Sequence, residues 1–313
     1  GFLSRVLRGR PWLRLKVAAS LDGRTALPDG RSQWITGADA RRDGHAWRRR
    51  AGAVLTGGAS RRMGRDKALV PVGGTAMAAR VVAALRAVKD DGEIARLQAA
   101  AAIADASLAE VRGRLAERPT EVEFGLELDT AMRRLGADDV SFETIVASGP
   151  NGALPHHRPG TRTIVEGDLV VLDFGALVDG YHSDMTRTVA VGELSATQQR
   201  MWDVVHESQA AGVATVRAGV DARAVDAACR SVIGAAGWED AFLHGTGHGV
   251  GLDIHEDPRV GQSSTATLVD RNVVTVEPGV YLPEHGGVRI EDTVVVTPEG
   301  CRPITLTPKS SAI

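Results

Sequence analysis

Two acidic side chains flank a turn signal in a stretch of strongly β-forming sequence. Asp173 and Asp184 lie in LVVLDFGALVDGYHSDMTRTVAV, on either side of Asp179-Gly180, a dipeptide that favours a tight two-residue hairpin turn. Because this turn lies midway between the two acids, their carboxylates are expected directly opposite or diagonal to each other on neighbouring strands. The segment therefore predicts a pair of carboxylates in one small space.

A second stretch repeats this arrangement about a hundred residues later. Glu277 and Glu291 are symmetric about residue 284 in VVTVEPGVYLPEHGGVRIEDTVVV, where Gly286-Gly287 is expected to supply the turn. Four carboxylates on apolar strands would repel one another and resist burial unless cations lay among them. The two hairpins together indicate a metal site.

A glycine-flanked histidine lies between the two hairpins. In HGTGHGVGLDIHEDP the glycines around His248 allow close approach of the backbone and can direct the imidazole at the carboxylates. Four carboxylates and one imidazole make a hard, oxygen-rich donor set, which favours Mn²⁺, Co²⁺, Fe²⁺ or Zn²⁺ in a two-metal arrangement. We therefore expect two divalent cations.

The elements that must position these residues are themselves repeated. His156 and His255 each stand three residues before a proline and are separated by 99 residues. Each half of the repeat combines a helix pair with strands and a carboxylate-bearing hairpin. The helices are expected at 92–117, 120–135, 196–217 and 221–236. This order predicts an α+β domain with a pseudo-twofold repeat and a site between its halves.

Composition places the chain among globular proteins. Of its 313 residues 43% are hydrophobic and 24% are charged, which is enough for one large domain or two smaller ones. The sequence has no apolar run long enough to span a membrane, and its basic opening, GFLSRVLRGRPW, does not resemble a secretory signal. Its two cysteines form no CxxC pair, which argues against a disulfide scaffold or a structural zinc finger. We expect a cytoplasmic enzyme.

Charge is distributed unevenly along the chain. Residues 1–70 contain 16 of the 37 Lys and Arg residues but only 5 of the 39 Asp and Glu residues. A basic segment of this kind can bind nucleic acid or phosphate, but it can equally form a solvated face or pack on the acidic remainder. We favour the latter interpretations and expect neither a nucleic-acid nor a membrane partner.

The motifs of residues 88–313 together resemble the pita-bread metallopeptidases, specifically Xaa-Pro aminopeptidases and prolidases. The motifs that carry the resemblance are PHHRP, VVLDFGA, HSDMTRT, HGTGHGVGLDIHEDP, VEPGVY and VRIED. The resemblance implies that Asp173 binds one metal bidentately, that Asp184 and Glu291 bridge both, and that His248 and Glu277 complete the other site. It implies two divalent ions, with Mn²⁺ the first expectation.

The same resemblance implies roles for the remaining motif positions. Glu277 would shuttle the proton of a metal-bridging hydroxide, while His255 and His156 would contact the substrate and the tetrahedral intermediate. Arg289 would orient Glu291 or Asp184 from behind the ligands. The implied substrate is a peptide with proline at its second position, and a homodimer is left open. His157 and His244 are assigned structural or solvent-exposed roles.

Other functions remain to be weighed against this one. A methionine aminopeptidase would share the fold, although HEDP after the metal histidine and the PHHRP segment argue against it. A non-catalytic binding module of the same shape would not be expected to keep all five ligands. A nucleotide-binding or nucleotidyltransferase module at residues 57–67 belongs to another class, and a guanine-nucleotide binding assay would reveal it.

Residues 1–87 do not resemble the amino-terminal domain of prolidases. Residues 2–57 resemble the start of the riboflavin-biosynthesis reductase domain, an NADPH-using fold like that of dihydrofolate reductase. Residues 51–87 resemble the nucleotide-binding start of molybdenum-cofactor guanylyltransferases. In that resemblance the phosphates would be held by Gly57, Gly58, Arg62, Gly64 and Lys67. We interpret the chain as a chimera, with a small irregular or α/β front segment at 1–87 and the peptidase domain at 88–313.

Overall fold

The computed structural model describes residues 86–311 continuously and, before them, only six short strands. The chain divides into two units, Gly1–Leu85 and Arg86–Ile313, so the division falls two residues before the boundary that the sequence suggests. The strands of the first unit are β1 (Phe2–Ser4), β2 (Leu13–Leu15), β3 (Ala59–Ser60), β4 (Arg65–Asp66), β5 (Pro71–Val72) and β6 (Thr75–Ala76).

These six strands form three antiparallel pairs, β1 with β2, β3 with β4, and β5 with β6. The β-forming run PWLRLKVAA at 11–19 predicts a strand, and β2 lies inside it. The sequence also predicts a turn at Asp22-Gly23, a strand at 53–56 and a helix at 76–88. The turn, the strand and most of the helix lie outside the described residues, as do all five proposed phosphate-binding residues.

The second unit contains four α-helices in two pairs. They are α1 (Asp91–Val111), α2 (Glu121–Arg134), α3 (Ala196–Thr215) and α4 (Ala222–Ala235). The first three begin at capping boxes, in which the side chains of Asp90, Thr120 and Ser195 accept the amide of the third helical residue. All four agree with the expected helices, except that α1 continues as a 3-10 helix over Arg112–Glu117, which ends at Arg118 with a φ of 59°.

Thirteen strands of the second unit form three sheets and one separate hairpin. Their bounds are β7 (Asp139–Val140), β8 (Ile145–Ser148), β9 (Leu169–Phe174), β10 (Ala176–Val178), β11 (Tyr181–His182), β12 (Met185–Ala190), β13 (Gly247–Gly249), β14 (Glu256–Val260), β15 (Val273–Val276), β16 (Gly279–Leu282), β17 (Gly286–Arg289), β18 (Asp292–Val296) and β19 (Cys301–Pro303). The sheet orders are β12-β9-β8, β11-β10-β7 and β14-β13-β15-β18-β19, and β16 pairs with β17.

Each helix pair packs against the strands that follow it and forms its own core. The first core joins α1 and α2 to β8, β9 and β12 and includes Phe124, Leu128 and Leu172. The second joins α3 and α4 to β15–β18 and includes Val205, Val225 and Val276. The expected repeat of helix pair, strands and hairpin is therefore present in the described unit. None of its helices combines the length and apolar character that a bilayer span requires.

Candidate metal centre

The first hairpin places its two acids diagonally. Strands β9 and β12 are antiparallel, with Asp173 opposite Thr186. Asp184 stands two residues before Thr186, so it is the diagonal neighbour of Asp173, one of the two arrangements that the sequence allowed. The turn is Asp179-Gly180, with φ values of 51° and 82°, as a two-residue hairpin turn requires.

The second hairpin places its two acids directly opposite each other. Val276 pairs with Asp292 and Gly279 pairs with Arg289, so one register runs through both strand pairs and sets Glu277 against Glu291. The predicted symmetry is confirmed, but the predicted turn is wrong. The chain reverses at residues 283–285, and Gly286, with a φ of 89°, already begins β17.

His248 lies on β13 between the two hairpins. Its amide donates to Thr275 Oγ1 at 3.1 Å, and its Nδ1 lies 3.0 Å from the carbonyl oxygen of Gly249. A carbonyl oxygen can only accept, so Nδ1 carries the proton and Nε2 keeps its lone pair. Nε2 lies 3.5 Å from Asp184 Oδ2 and 3.4 Å from Glu277 Oε1.

The glycine before His248 is required by space. A Cβ atom on Gly247 would lie 2.0 Å from the carbonyl oxygen of Thr275. This distance is too short for any side chain at this position. Its absence lets β13 approach β15 closely and brings His248 up to the carboxylates, which is the role that the sequence suggested for these glycines.

Three carboxyl groups of the cluster, those of Asp184, Glu277 and Glu291, are hard to ionise without a counter-charge. Burial, followed by the neighbouring carboxylates, raises the pKa of Asp184 and of Glu291 well above the ordinary value. Burial also raises the pKa of Glu277 to about 8. Burial lowers the pKa of His248 to about 3, so its imidazole is neutral. The cluster is therefore short of positive charge.

The donor set fits a divalent cation. Ligand atoms of Asp184, His248 and Glu291 all lie within 4.8 Å of one another. Two buried oxygens, Asp173 Oδ1 and Glu291 Oε1, have no hydrogen-bond partner, which is costly for a buried carboxylate. A cation among these oxygens would supply both the missing partner and the missing charge.

Arg289 occupies a different place from the one expected. It was expected to orient Glu291 or Asp184, but its Nη2 lies 2.6 Å from Asp173 Oδ2. It reaches Glu291 only through Thr186, whose hydroxyl accepts from Arg289 Nε at 3.1 Å and donates to Glu291 Oε2 at 2.7 Å. The sequence could not predict this contact, because the spacing of residues along one strand does not show which neighbouring strand a long side chain reaches.

The two histidines proposed to contact substrate lie at the edge of the cluster. The ring centroid of His255 is 4.3 Å from that of His248, and the rings meet edge to face. His255 and His156 are both exposed. His156 is close enough to contribute to lowering the pKa of His255, after burial and Arg259. Their contact with substrate stays a prediction.

The structure adds Tyr281 to the site, a residue that the sequence did not single out, and connects it to His244, which was assigned a structural or solvent-exposed role. The Tyr281 hydroxyl lies 2.8 Å from Arg289 Nη1 and 2.7 Å from His244 Nε2. Burial raises the pKa of Tyr281 to about 12 and lowers that of His244 to about 4. The signal for Tyr281 was available, since Glu277, Gly279 and Tyr281 alternate along one strand face. His157 instead contacts Glu121 at 2.8 Å, in agreement with a structural role.

A family model matches a range that begins in the front segment of the chain. Residues 11–149 match the RibD C-terminal domain, which supports the predicted resemblance to a riboflavin-biosynthesis reductase. The matched range extends well past the expected end at residue 57. Its last part, residues 95–149, also lies inside the range 95–298 that matches another family model and belongs to the second unit.

Comparison with known proteins identifies the larger part of the chain. An uncharacterized peptidase of Bacillus subtilis is 45% identical over 248 residues, covering 79% of this chain and 69% of the relative. An Xaa-Pro dipeptidase of Pyrococcus furiosus is 40% identical over 227 residues, covering 72% and 65%. This chain thus spans about two thirds of the length of these relatives.

A solved structure gives the same answer for the fold. The Xaa-Pro dipeptidase from Bacillus anthracis aligns with a TM-score of 0.73 at 45% identity, over 74% of this chain and 66% of that one. The second unit therefore has the α+β pita-bread fold that the motifs implied. Residues 95–298 match the model of metallopeptidase family M24. The chain belongs to metallopeptidase family M24.

Proposed function

We propose that the chain is a dinuclear metal-dependent peptidase that hydrolyses the Xaa-Pro bond at the amino terminus of peptides or in dipeptides. The observation that carries the proposal is the buried cluster in which two hairpins and His248 converge. Asp184, Glu277 and Glu291 have raised pKa values, and two buried oxygens of the cluster lack partners. Relatives named Xaa-Pro dipeptidase, 39–40% identical, support the substrate class.

The five side chains that would hold the cations are Asp173, Asp184, His248, Glu277 and Glu291. Two divalent cations in this cluster would lower the pKa of water and polarise the scissile carbonyl. The oxygen-rich donor set favours Mn²⁺, with Co²⁺, Zn²⁺ and Fe²⁺ as the alternatives.

We assign proton transfer, contact with the substrate and positioning of a ligand to different side chains of the site. Glu277 lies beside the neutral imidazole of His248 and is the carboxyl group that we assign to taking a proton and returning it to the leaving nitrogen. His255 and His156, exposed at the edge of the cluster, are assigned to the substrate carbonyl and the charge that develops on its oxygen. Arg289 holds Asp173 in place through Nη2 and is itself held by the Tyr281 hydroxyl at Nη1.

The origin of the front segment is a separate part of the proposal. We propose that residues 51–87 derive from a guanylyltransferase-like start and that the chain is a chimera; the match at residues 11–149 supports the reductase-like part of this proposal. Because the peptidase unit follows such a segment, the preference between dipeptides and longer peptides, and a homodimeric assembly, are separate questions for experiment.

The decisive experiment combines metal analysis with an Xaa-Pro cleavage assay on Asp184→Asn. A neutral amide cannot neutralise cations as a carboxylate does, so this variant should lose metal and at least 100-fold in kcat/KM. Asp179→Asn is the matched control, because Asp179 lies in the turn of the same hairpin and is exposed.

The control variant should keep both metal and activity. Full Xaa-Pro hydrolysis by Asp184→Asn, or by the wild-type chain after exhaustive chelation, would contradict the proposal.

A further inference from the structure

Glu256 follows His255 directly, and its side chain accepts hydrogen bonds from the turn that precedes His255. Its Oε1 accepts from the amides of Leu252 at 2.9 Å and Asp253 at 3.1 Å. Its side chain is only 6% exposed. The path of residues 252–255, and hence the position of the exposed His255 imidazole, therefore depends on where this carboxylate is held.

A short segment at the start of the second unit, residues 86–90, is fastened beside this turn. We call it the strap. The amide of Lys89 donates to the carbonyl of Arg271 at 3.0 Å, and Arg271 Nε donates back to the carbonyl of Lys89 at 2.6 Å. Asn272 Nδ2 donates to the carbonyl of Ala87 at 2.8 Å. The strap is thus fixed to the residues that lead into β15.

The strap supplies the cations that hold Glu256. Lys89 Nζ lies 2.9 Å from Glu256 Oε2, and the Lys89 side chain is 1% exposed. Arg86 contacts Glu256 and also Asp253, the latter at 2.7 Å. Removing one partner of a buried ion pair leaves an uncompensated charge, which is strongly unfavourable. Without Lys89, Glu256 Oε2 would lose its cation and only the partly exposed Arg86 would still pair with Oε1, so the carboxylate should shift and loosen the turn.

The turn and the metal-binding strand also share a hydrophobic support. Val250 and Leu252 pack in a small core with Leu97 of α1 and Val273 of β15. This core anchors one end of the turn, while Glu256 anchors the other. The arrangement confines His255 through the turn, and the contacts of the strap described above go to Glu256, Asp253, Arg271 and Asn272 rather than to the proposed ligands.

We propose that Lys89 is a positioning residue of the peptidase site, which acts through Glu256 to hold His255 beside His248. The inference rests on the proposed function, in which His255 contacts the substrate. Displacing a group of this kind by about 1 Å can cost roughly 100-fold in rate. Binding of the cations does not depend on the strap.

The test compares three variants of the full-length chain. Lys89→Met should lower kcat for an Xaa-Pro dipeptide about 10- to 100-fold, with metal content unchanged and KM within about threefold. Lys89→Arg should keep most of the activity, because its guanidinium can still pair with Glu256. Arg114→Met removes an exposed ion pair to Glu117 and Glu127 and should behave as wild type.

Amide hydrogen exchange over residues 250–257 provides a readout that does not need activity. Exchange of the Leu252 and Asp253 amides should accelerate in Lys89→Met but not in Arg114→Met. If Lys89→Met does not fold, Glu256→Gln replaces it, since it keeps an oxygen for the two amides but loses the ion pair, and the same selective loss of kcat is expected.

The outcomes separate this proposal from the proposed function. Unchanged kcat and exchange in Lys89→Met, or loss of metal in parallel with activity, would overturn the positioning role. A wild-type chain that binds metal but cleaves no Xaa-Pro substrate would overturn the proposed function, while the exchange comparison would still decide whether Lys89 holds the turn.

Discussion

At the scale of single residues, the tautomer of His248 determines what the cluster can bind. Its Nδ1 is committed to the carbonyl of Gly249, and burial holds its pKa at about 3. The imidazole therefore presents a neutral Nε2 to Asp184 and Glu277, as a metal ligand must. His255 touches the same ring but is exposed, so the two neighbouring histidines are suited to different tasks.

This difference predicts separate effects of the two alanine variants. His248→Ala should lose metal together with activity. His255→Ala should keep its metal but lose about 100- to 1,000-fold in kcat, the usual effect of removing one donor to a developing oxyanion. Metal analysis and steady-state kinetics on the same preparations would decide, and equal loss of metal in both variants would refute the distinction.

At the scale of elements, the hairpins were predictable because their information is local. The period of two fixes both pairs, and the turn dipeptide Asp179-Gly180 sets the register of Asp173 with Asp184; for Glu277 with Glu291 the symmetry of the apolar runs was enough, although the predicted turn was wrong. The capped helices were predictable for the same reason. The contact of Arg289 with Asp173 spans 116 residues and that of Lys89 with Glu256 spans 167. Such contacts depend on how the halves pack, which no local pattern encodes.

Helix α4 supports the site indirectly, through hydrogen bonds to the residue that precedes β13. Asp226, buried on α4, accepts from the amide of Thr246 at 3.1 Å and its hydroxyl at 2.8 Å, while Arg230 holds its other oxygen at 2.8 Å. The carbonyl of Thr246 in turn accepts from the amide of Glu277 at 2.8 Å. The helix thus fixes Thr246, the residue that leads into β13, and through it the backbone at Glu277.

Asp226→Asn should therefore weaken both the fold and the metal site. Replacing one acceptor oxygen by an amide group that donates should cost about 1–3 kcal/mol of stability and about tenfold in metal affinity. Thermal melting and metal titration would measure the two effects. Asp221→Asn is the control, because Asp221 is exposed at the start of the same helix, and a loss of equal size there would contradict the argument.

At the scale of the whole molecule, the two units differ in how far the sequence explains them. Motifs distributed over residues 88–313 agree with one fold, and family and structural comparisons support it throughout. The front segment contains two shorter resemblances in succession, and the family match to residues 11–149 supports only the first. A short segment can contain the local motifs of a fold without the neighbouring strands and helices that would identify the fold unambiguously.

Metal binding should stabilise the molecule as a whole, and more strongly as the pH rises. In the metal-free protein burial raises the pKa of Glu277 to about 8, whereas the unfolded chain ionises near 4.3. Unfolding therefore releases a proton in this range, and the stability of the metal-free fold decreases from about pH 4.5 to about pH 8. Asp184 and Glu291, whose pKa values are also raised, act in the same direction.

A bound cation favours the ionised carboxylates, so its affinity should increase over the same range and its binding should release protons. At a free concentration 100 times its Kd it would add about 2.7 kcal/mol to the free energy of unfolding. Melting curves with chelator and with Mn²⁺, recorded from pH 5 to pH 8, should therefore diverge as the pH rises, and those of Asp184→Asn should stay close together. A separation that is constant across the range would mean that these carboxyl groups do not bind the metal.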